Sequence, residues 1–582
     1  MSDVIREAEQ QTRPSPQLLV IGIDSATFDL VGPWARAGEL PNLARLMSEG
    51  VHGQLTSTTP PVSPPAWTSF MTGKNPGKHG IFSFFEPVPN SYTVRHTNGG
   101  SRRAKTIWKI LSESGKRVGI INVPMTYPPE KVAGYLIAGM DTPDERSRFI
   151  YPPALQEELT REFGKIETIV YHFVQKLGES YRSAYRAYKL WERLEERRAQ
   201  LCQHLMRTRP TDLVMIHFFA VDQIQHYFWH YMDSSHPLYD PAGARLLGGV
   251  IKEIYRTIDR LVGELLSLLP QETSVIILSD HGAGPLSSRR IFINNFLCSL
   301  GLLRFKDAER AAPRMRAVAH LALRRADAFL RRLLPPRVKT LLTWAFPGTR
   351  DLFESYLATG QIDWSATKAY CNEKFGSSIW VNLKGVRPNG IVESGAEYEE
   401  LLAFITQKLY EIKDPETGSQ MITRVYRKEE IYSGPFLDNA PDLLIDEWQD
   451  ITFQPGVTAG SQRGRPIVVS ETPTGKCVGK KTGSHRYEGV VFLKGDPFKE
   501  GQLLTGAQII DLAPTILHLM GLPVPEDMDG RVLTEALKDD YRARHPVVFQ
   551  KADDRDQMNE RDYSDQDARK VEERLRSLGY LE

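Results

Sequence analysis

Short, continuous apolar runs that end in an acidic or polar residue recur along the chain. They are LLVIGID (18–24), RVGIINVP (117–124), DLVMIHFFAVD (212–222) and SVIILSDHG (274–282). Such runs are typical of strands that are buried on both faces of a parallel sheet. Helical patterns lie between them, over 185–206 and 251–269. Because strand and helix patterns alternate, we predict an α/β fold with a doubly wound, mostly parallel sheet flanked by helices.

The same patterns divide the chain into regions. Residues 1–16 are polar and of mixed charge, and we predict a disordered arm there. The core pattern runs over 17–300, breaks over 301–439, which we interpret as an inserted cap, and resumes over 440–540. Residues 541–582 are predicted to be a charged linker and a C-terminal helix. That helix would begin near Ser564 and carry Val571, Leu575 and Leu578 on one face.

Composition narrows the class of protein. The chain has 582 residues, a formal net charge of +1 and 41% hydrophobic residues, which is ordinary for a globular protein and gives no nucleic-acid signal. Its four cysteines form no CxxC pair, so neither a disulfide framework nor a zinc–thiolate site is expected. No apolar signal region or membrane-spanning run is present. We therefore expect a cytoplasmic protein.

Six acidic and histidine residues are possible metal ligands, and three of them, Asp24, Asp222 and Asp280, stand at the ends of predicted strands. His226 follows Asp222 in DQIQH, His281 follows Asp280 in SDHG, and His485 lies in the loop TGSHRYEG. Taken singly, each is more simply a helix cap, a surface pair or a loop residue. However, the carboxyl ends of parallel strands meet at one edge of a sheet. Carboxylates and imidazoles are also the ligands that suit zinc and similar divalent ions. The set therefore predicts a metal site.

Ser63 stands in PPVSPPAW, just before two prolines and an apolar helical pattern. Two interpretations are open. Serine is a common helix cap, but a hydroxyl at a helix N-terminus is also well placed to attack an anion. The prolines fit either interpretation, because the first turn of a helix does not need their missing N–H groups.

Six separated motifs resemble one known family. IGIDSATFDL, PPVSPPAWTSFMTGKNPGKHGI, AVDQIQH, VIILSDHG, APDLLI and GSHRYEG resemble, in order and spacing, the alkaline phosphatase superfamily, and most of all its type I phosphodiesterase/nucleotide pyrophosphatase branch. The resemblance covers 18–296 and 440–533. It implies an alkaline phosphatase-like catalytic domain and a hydrolase acting on phosphoric ester bonds, with phosphodiesters favoured.

The resemblance also implies a site with two divalent metal ions, zinc being favoured and manganese the alternative. One ion would be held by Asp222, His226 and His485. The other would be held by Asp24, Asp280 and His281 together with the hydroxyl of Ser63. Ser63 stands where the family has its nucleophile, which implies a phosphorylated Ser63 intermediate that water then hydrolyses.

Two positions depart from the family pattern. Phe84 stands where that branch has an asparagine that donates to phosphate, and Pro64 has no N–H to donate. Substitute phosphate-binding candidates are Lys74, Lys78 and Arg102, for which the alternative is solvated loop charges. These departures leave the choice between diester and monoester substrates open.

Several alternatives follow. A phosphomonoesterase or phosphomutase of the same superfamily would use the same site, although the largest insertion here lies after SDHG, which disfavours the phosphoglycerate mutase arrangement. A sulfatase is disfavoured, because Trp67 stands where the sulfatase motif has arginine. A non-enzymatic binding protein on the same fold would not need all seven site residues.

The substrate is expected to be a small-molecule or lipid-headgroup phosphate ester. The basic amphipathic segment 314–346, rich in arginine over 314–339, would be either a lid or a peripheral membrane contact.

Overall fold

The computed structural model describes residues 16–306, 362–448, 453–455, 466–470, 477–552 and 563–580. The predicted arm, apart from Pro16, and the basic segment 314–346 lie outside these residues. Within the described part of the chain, no helix combines the length and the apolar character that a membrane span needs.

A nine-stranded sheet forms the centre of the fold. Its strands are β1 (Leu18–Ile23), β2 (Val51–Thr56), β3 (Val118–Ile121), β4 (Gly134–Ile137), β5 (Ile150–Tyr151), β6 (Leu213–Phe218), β7 (Ser274–Leu278), β8 (Glu488–Lys494) and β9 (Gln502–Gln508). Their order across the sheet is β9-β2-β8-β7-β1-β6-β3-β4-β5. β7, β1, β6, β3 and β4 are parallel to one another, and β8 runs antiparallel between β2 and β7. The predicted α/β, mostly parallel fold is confirmed.

The central strands are apolar because the sheet is covered on both faces. All six residues of β1 are buried, as are all six of β6. Helices surround the sheet. They include Phe28–Arg36, Pro41–Glu49, Ser63–Thr72, Pro76–His79, Ile107–Glu113, Pro153–Phe163, Phe173–Leu177, Tyr181–Thr208, Ala220–Met232, Pro241–Leu247, Val250–Leu266, Leu512–Leu519 and Asp539–Arg544.

A smaller sheet lies in the region that breaks the core pattern. Its strands occur in the order Ala369–Tyr370, Ser378–Val381, Leu443–Ile445, Val425–Arg427, and the helix Ala396–Tyr410 packs in the same hydrophobic cluster. We expected the chain to return to the catalytic domain at 440. Instead, Leu443–Ile445 pairs with Ser378–Val381 in this smaller sheet. A three-residue apolar run fits either sheet, so its sequence does not say which one it joins.

Other short strands form small sheets of two or three strands outside these two sheets. They are Phe85–Pro87 with Val94–His96, Gly282–Pro285 with Gly483–Arg486, Arg289–Ile291 with Gln454–Pro455 and Val468–Ser470, and Val524–Pro525 with Phe549–Gln550. Helix Ile293–Ser299 packs with the smaller sheet, so the core of that unit begins before the predicted boundary at 301.

The C-terminal helix, Asp565–Leu578, returns to the main core. The Ser564 hydroxyl caps it by accepting from the backbone N–H of Asp567. Val571, Leu575 and Leu578 lie on the predicted face and are buried in the cluster that surrounds the central sheet.

Candidate active site

The predicted ligands meet at one edge of the central sheet. Asp24 directly follows β1, and Asp280 lies two residues beyond the end of β7. Asp222 was expected to end a strand, but β6 already ends at Phe218 and Asp222 lies in the first turn of helix Ala220–Met232. Side chains four apart share one face of a helix. Asp222 and His226 therefore point into the same space, and Nε2 of His226 lies 3.2 Å from Oδ1 of Asp222.

His485 reaches this edge through a short two-stranded ladder. Strand Gly483–Arg486 pairs antiparallel with Gly282–Pro285, and His485 stands opposite Ala283. Because Gly282 directly follows His281, the ladder carries the two imidazoles side by side. Their rings stack with centroids 3.9 Å apart.

The ligand atoms form two overlapping groups. Asp222, His226 and His485 form one, and Asp24, Asp222 and His281 form the other, with the ligand atoms of each within 4.8 Å of one another. Asp222 thus belongs to both groups, whereas the sequence assigned it to one. Asp280 and Ser63 adjoin the second group, since Nε2 of His281 lies 3.2 Å from Oδ2 of Asp280 and 3.5 Å from Oγ of Ser63. All seven predicted residues are therefore brought together.

Backbone carbonyls fix the orientation of all three imidazoles. Nδ1 of His226 contacts the carbonyl of Gly483 at 2.8 Å, Nδ1 of His485 that of Pro61 at 2.9 Å, and Nδ1 of His281 that of Gly282 at 3.1 Å. A carbonyl only accepts hydrogen bonds, so each Nδ1 carries the proton and each Nε2 carries a lone pair. The three lone pairs therefore face the ligand cluster.

The two oxygens of each carboxylate, in Asp24, Asp222 and Asp280, have different surroundings. One oxygen of each has a protein partner: Oδ2 of Asp24 contacts Nε2 of His217 at 3.0 Å and Nε1 of Trp67 at 3.4 Å, Oδ1 of Asp280 accepts from the N–H of Ser25 at 3.3 Å, and Oδ2 of Asp222 accepts from Tyr580 at 2.5 Å and Gln223 at 3.1 Å. The other oxygen of each, Oδ1 of Asp24, Oδ2 of Asp280 and Oδ1 of Asp222, is buried without a hydrogen-bond partner.

These unsatisfied acceptors fit a cation site. Nε2 of His226 lies only 3.0 Å from Nε2 of His485, so two lone pairs face each other beside a buried carboxylate. Buried acceptors without donors are costly. A set of imidazole nitrogens and carboxylate oxygens is the donor chemistry of zinc and related ions. The residues present therefore fit the divalent metal ions that the sequence implied.

The pKa shifts of the ligands also fit a cation site. Burial, together with the charges of Asp280 and Asp222, raises the pKa of Asp24 well above its usual value. Burial lowers the pKa of His485 to about 4, which keeps that imidazole neutral and available as a ligand. Bound cations would stabilise all three carboxylates in their ionised form.

Ser63 is the first residue of helix Ser63–Thr72 and is fully buried. The residue in the N-cap position is Val62, and no side chain caps this helix. The capping interpretation of Ser63 is therefore wrong. Its hydroxyl instead faces Nε2 of His281 across 3.5 Å.

The candidate phosphate-binding residues are engaged in ion pairs. The pairs are Lys74–Asp527, Lys78–Asp529 and Arg102–Glu130. These contacts fit neither a phosphate-binding role nor the alternative of solvated loop charges, because each cation is paired with a carboxylate and the side chain of Arg102 is only 5% exposed. Phe84, which replaces the expected asparagine, packs its ring against that of Tyr580 with centroids 5.0 Å apart.

Several residues that contact the ligands were missed by the sequence prediction. Among them, His217 and Trp67 hold Asp24, and Tyr580 holds Asp222. His217 had a signal, because it is a polar residue inside the apolar run of β6. Trp67 reaches the site because β1 has Gly22 beneath it, where a Cβ atom would lie 2.6 Å from the indole ring. Tyr580 had no local signal.

Comparison with known proteins identifies a family. A family model described as "Type I phosphodiesterase / nucleotide pyrophosphatase" matches residues 18–335, more than half of the 582-residue chain. Two curated relatives are 2,3-bisphosphoglycerate-independent phosphoglycerate mutases. That of Thermomicrobium roseum is 55% identical over 40 residues, which is 7% of this chain and 8% of the relative. That of Cereibacter sphaeroides is 54% identical over 46 residues, 8% of this chain and 9% of the relative.

A solved structure of another protein shows the same fold. Phosphonoacetate hydrolase from Sinorhizobium meliloti 1021, in complex with phosphonoacetate, superimposes with a TM-score of 0.50 at 14% identity and covers 86% of this chain and 95% of its own. Human ectonucleotide pyrophosphatase / phosphodiesterase 5 gives a TM-score of 0.46 at 14% identity, with 90% and 100% coverage. At such identity the likeness to the hydrolase concerns the fold alone.

Proposed function

Because the chain belongs to the type I phosphodiesterase / nucleotide pyrophosphatase family, we propose that it is a metal-dependent phosphohydrolase that cleaves phosphate esters, with phosphodiesters as the preferred class. One observation carries the proposal. Three buried carboxylate oxygens without a hydrogen-bond partner and three imidazole nitrogens converge beside the buried hydroxyl of Ser63.

Two divalent ions fit this donor set. Asp222, His226 and His485 would hold one ion, and Asp24, Asp280 and His281 with the Ser63 hydroxyl would hold the other, zinc being favoured over manganese because of the three imidazoles. When bound, the ions supply Lewis-acid chemistry, which lowers the pKa of a hydroxyl group and offsets the charge of a phosphate ester.

The residues of the chain prepare the nucleophile. Oγ of Ser63 gives its proton to solvent and forms a bond to phosphorus, while the bond from phosphorus to the leaving oxygen breaks and that oxygen takes up a proton from solvent. Water then hydrolyses the phosphoserine ester, which releases the phosphate product and restores the hydroxyl. Ser63 begins a ten-residue helix, so the positive end of the helix dipole favours the anionic phosphate there. Pro64 and Pro65 fill the next two positions without N–H groups of their own.

The supporting residues orient the ligands. His217 and Trp67 engage one oxygen of Asp24, which leaves the other directed at the cluster. The carbonyl contacts at each Nδ1 hold the three histidines with Nε2 inward. Such prearranged contacts are those that typically tune affinity for a metal ion. The site therefore needs little rearrangement to bind ions.

A phosphomonoesterase or phosphomutase is the second candidate. The short matches to phosphoglycerate mutases favour it, as does Phe84 in place of the asparagine expected for diester cleavage. Its substrate, like that of the first candidate, would be a small-molecule or lipid-headgroup phosphate ester. We also infer a cytoplasmic location, which is supported by the four free cysteines.

The chemistry is tested by trapping the intermediate. Brief incubation with an aryl phosphodiester and an acid quench should leave a phosphoryl group, or its ester remnant, on the peptide that contains Ser63, as read by mass spectrometry. Ser63→Ala should remove both the adduct and turnover. Ser69→Ala is the matched control, since Ser69 is a buried serine of the same helix whose hydroxyl contacts Nε2 of His79 at 2.9 Å.

Metal content and substrate choice complete the test. Elemental analysis should find close to two transition-metal ions per chain, and chelation should abolish turnover that zinc or manganese restores. A panel of aryl diester, monoester and sulfate ester, together with phosphoglycerate isomers, separates the candidates. Near-normal turnover by Ser63→Ala, or activity untouched by chelator, would refute the proposed mechanism. A chain that binds metal but turns over none of these substrates would point to the binding-protein alternative.

A further inference from the structure

The C-terminal helix is held firmly against the catalytic domain. Arg574, which is 1% exposed, donates to the carbonyl of Thr142 at 2.7 Å and to the hydroxyl of Thr168. At the start of the helix, the hydroxyl of Tyr563 donates to the carbonyl of Asp141 at 2.6 Å. With Val571 and its neighbours in the main core, the helix has polar and apolar anchors along its length.

The end of this helix turns towards the ligand cluster. Gly579 adopts φ +83°, and the N–H of Tyr580 donates back to the carbonyl of Leu575 at 2.9 Å, as in a Schellman C-cap. The hydroxyl of Tyr227 donates to the carbonyl of Leu578 at 3.2 Å. A Cβ atom at Gly579 would lie 1.6 Å from that hydroxyl. Glycine therefore lets the chain pass Tyr227, which shares a helix with Asp222.

Tyr580 then contacts Asp222 directly. Its hydroxyl donates to Oδ2 of Asp222 at 2.5 Å and accepts from Nε2 of Gln223 at 3.2 Å. Its ring packs against Phe84, and the ammonium group of Lys481 lies 5.6 Å from the ring centroid. The phenol is therefore oriented from three sides, and its one proton points at the carboxylate.

These contacts decide which oxygen of Asp222 is available. Oδ2 accepts from both Tyr580 and Gln223. Oδ1 has no donor and lies 3.2 Å from Nε2 of His226 and 3.5 Å from Nε2 of His485. Since Asp222 belongs to both ligand groups, the direction of this single oxygen matters for the whole cluster.

We propose that Tyr580 is a positioning residue of the active site, which fixes Asp222 as a ligand through Oδ1 alone and makes the C-terminal helix an integral wall of that site. The inference rests on the proposed metal-dependent function. Loss of such an outer contact typically weakens metal affinity about 10- to 100-fold. If the C-terminal helix instead blocked the site, removal of the Tyr580 contact would have the opposite effect. Freeing Asp222 would then raise the affinity for metal ions and the turnover.

The test compares two single-hydroxyl deletions in the same segment. Tyr580→Phe keeps the ring on Phe84 and removes the hydrogen bond to Asp222. Tyr563→Phe, the matched control, removes a hydrogen bond to a backbone carbonyl. The zinc dissociation constant is measured by competition with a chromophoric chelator, kcat and KM with an aryl phosphodiester, and the thermal midpoint on metal-free protein.

Tyr580→Phe should bind zinc about 10- to 100-fold more weakly, and its kcat should change by a larger factor than its KM. The thermal midpoint of the metal-free protein should be close to that of Tyr563→Phe. The control should keep the wild-type zinc constant. Wild-type zinc affinity in Tyr580→Phe, or tighter binding and faster turnover, would overturn the inference alone. A wild-type chain that binds no zinc or manganese would overturn the proposed function and this inference together.

Discussion

Replacing Glu195 by alanine is expected to destabilise the protein by about 3–5 kcal/mol. Glu195 lies in helix Tyr181–Thr208 and is fully buried. One oxygen pairs with the buried guanidinium of Arg198. The other accepts from the backbone N–H groups of Phe219 and Ala220, at 2.9 and 2.8 Å. A single carboxylate thus serves a buried charge and caps the helix that carries Asp222.

The magnitude comes from what the substitution leaves behind. Arg198 would lose its ion-pair partner, which costs roughly 3–5 kcal/mol for a buried pair. It would keep its hydrogen bond to the carbonyl of Thr168 at 2.7 Å, so some of that cost is offset. The two N–H groups of the helix start would lose the acceptor that they share, which costs roughly 1–3 kcal/mol in all. Because relaxation at one group eases the others, these costs do not simply add, and we expect a total of about 3–5 kcal/mol.

The assay is urea unfolding followed by circular dichroism, with chelator present in every sample so that metal binding does not contribute. The shift in midpoint multiplied by the m-value gives the change in the free energy of unfolding. The double variant Glu195→Ala/Arg198→Met removes both charges and should cost only about 1–3 kcal/mol, which is the cost of the uncapped helix start.

Two results would refute this reasoning. A loss below about 1 kcal/mol for Glu195→Ala would mean that neither the ion pair nor the cap matters at this position. A double variant that is as unstable as the single one would mean that the unpaired charge of Arg198 is not the main cost.

Two further predictions concern the site and the C-terminal helix. Asp222→Ala and His485→Ala should each deplete bound metal, and the double variant should lose little more turnover than either single variant, because residues that act as a unit are non-additive; multiplying losses, with both ions still bound, would argue against a shared site. His96, Lys374 and Arg576 lower the pKa of Glu572 to about 2, so its stabilising effect is complete above its ordinary pKa near 4.5 and is lost as the pH falls towards 2. Glu572→Gln should therefore flatten the fall in thermal midpoint over that acidic range, and an unchanged slope would contradict this.

The fold could be predicted from the sequence because strands that are buried on both faces are apolar along their whole length. That pattern is visible in a short stretch of sequence. Asp24, Asp280 and His281 could be predicted because they follow those strands within a few residues, and Asp222 and His226 because they are four positions apart. Contacts between distant segments have no such signature. Tyr580 and Asp222 are 358 positions apart, and nothing near Tyr580 distinguishes it from a surface residue at the end of an amphipathic helix.

Two errors have the same physical origin. The run at Leu443–Ile445 is short and apolar, so it fits a strand of either sheet, and only packing assigns it to the smaller one. The apolar run that ends at Asp222 continues past β6, because the buried first turn of the following helix is as apolar as the strand. Period alone does not separate the two over so few residues.

The position of β8 has a consequence for how this protein is made. β8 lies between β2 and β7, yet about 210 residues separate the end of β7 from its start. At a synthesis rate of roughly 5–20 residues per second, the gap in the sheet stays open for about 10–40 s on the ribosome. During that interval β7 presents one unpaired edge, and β2, whose other neighbour β9 is made later still, presents two. Unpaired edges invite pairing with other chains. Newly made chains should therefore depend on chaperones that shield these edges until β8 emerges.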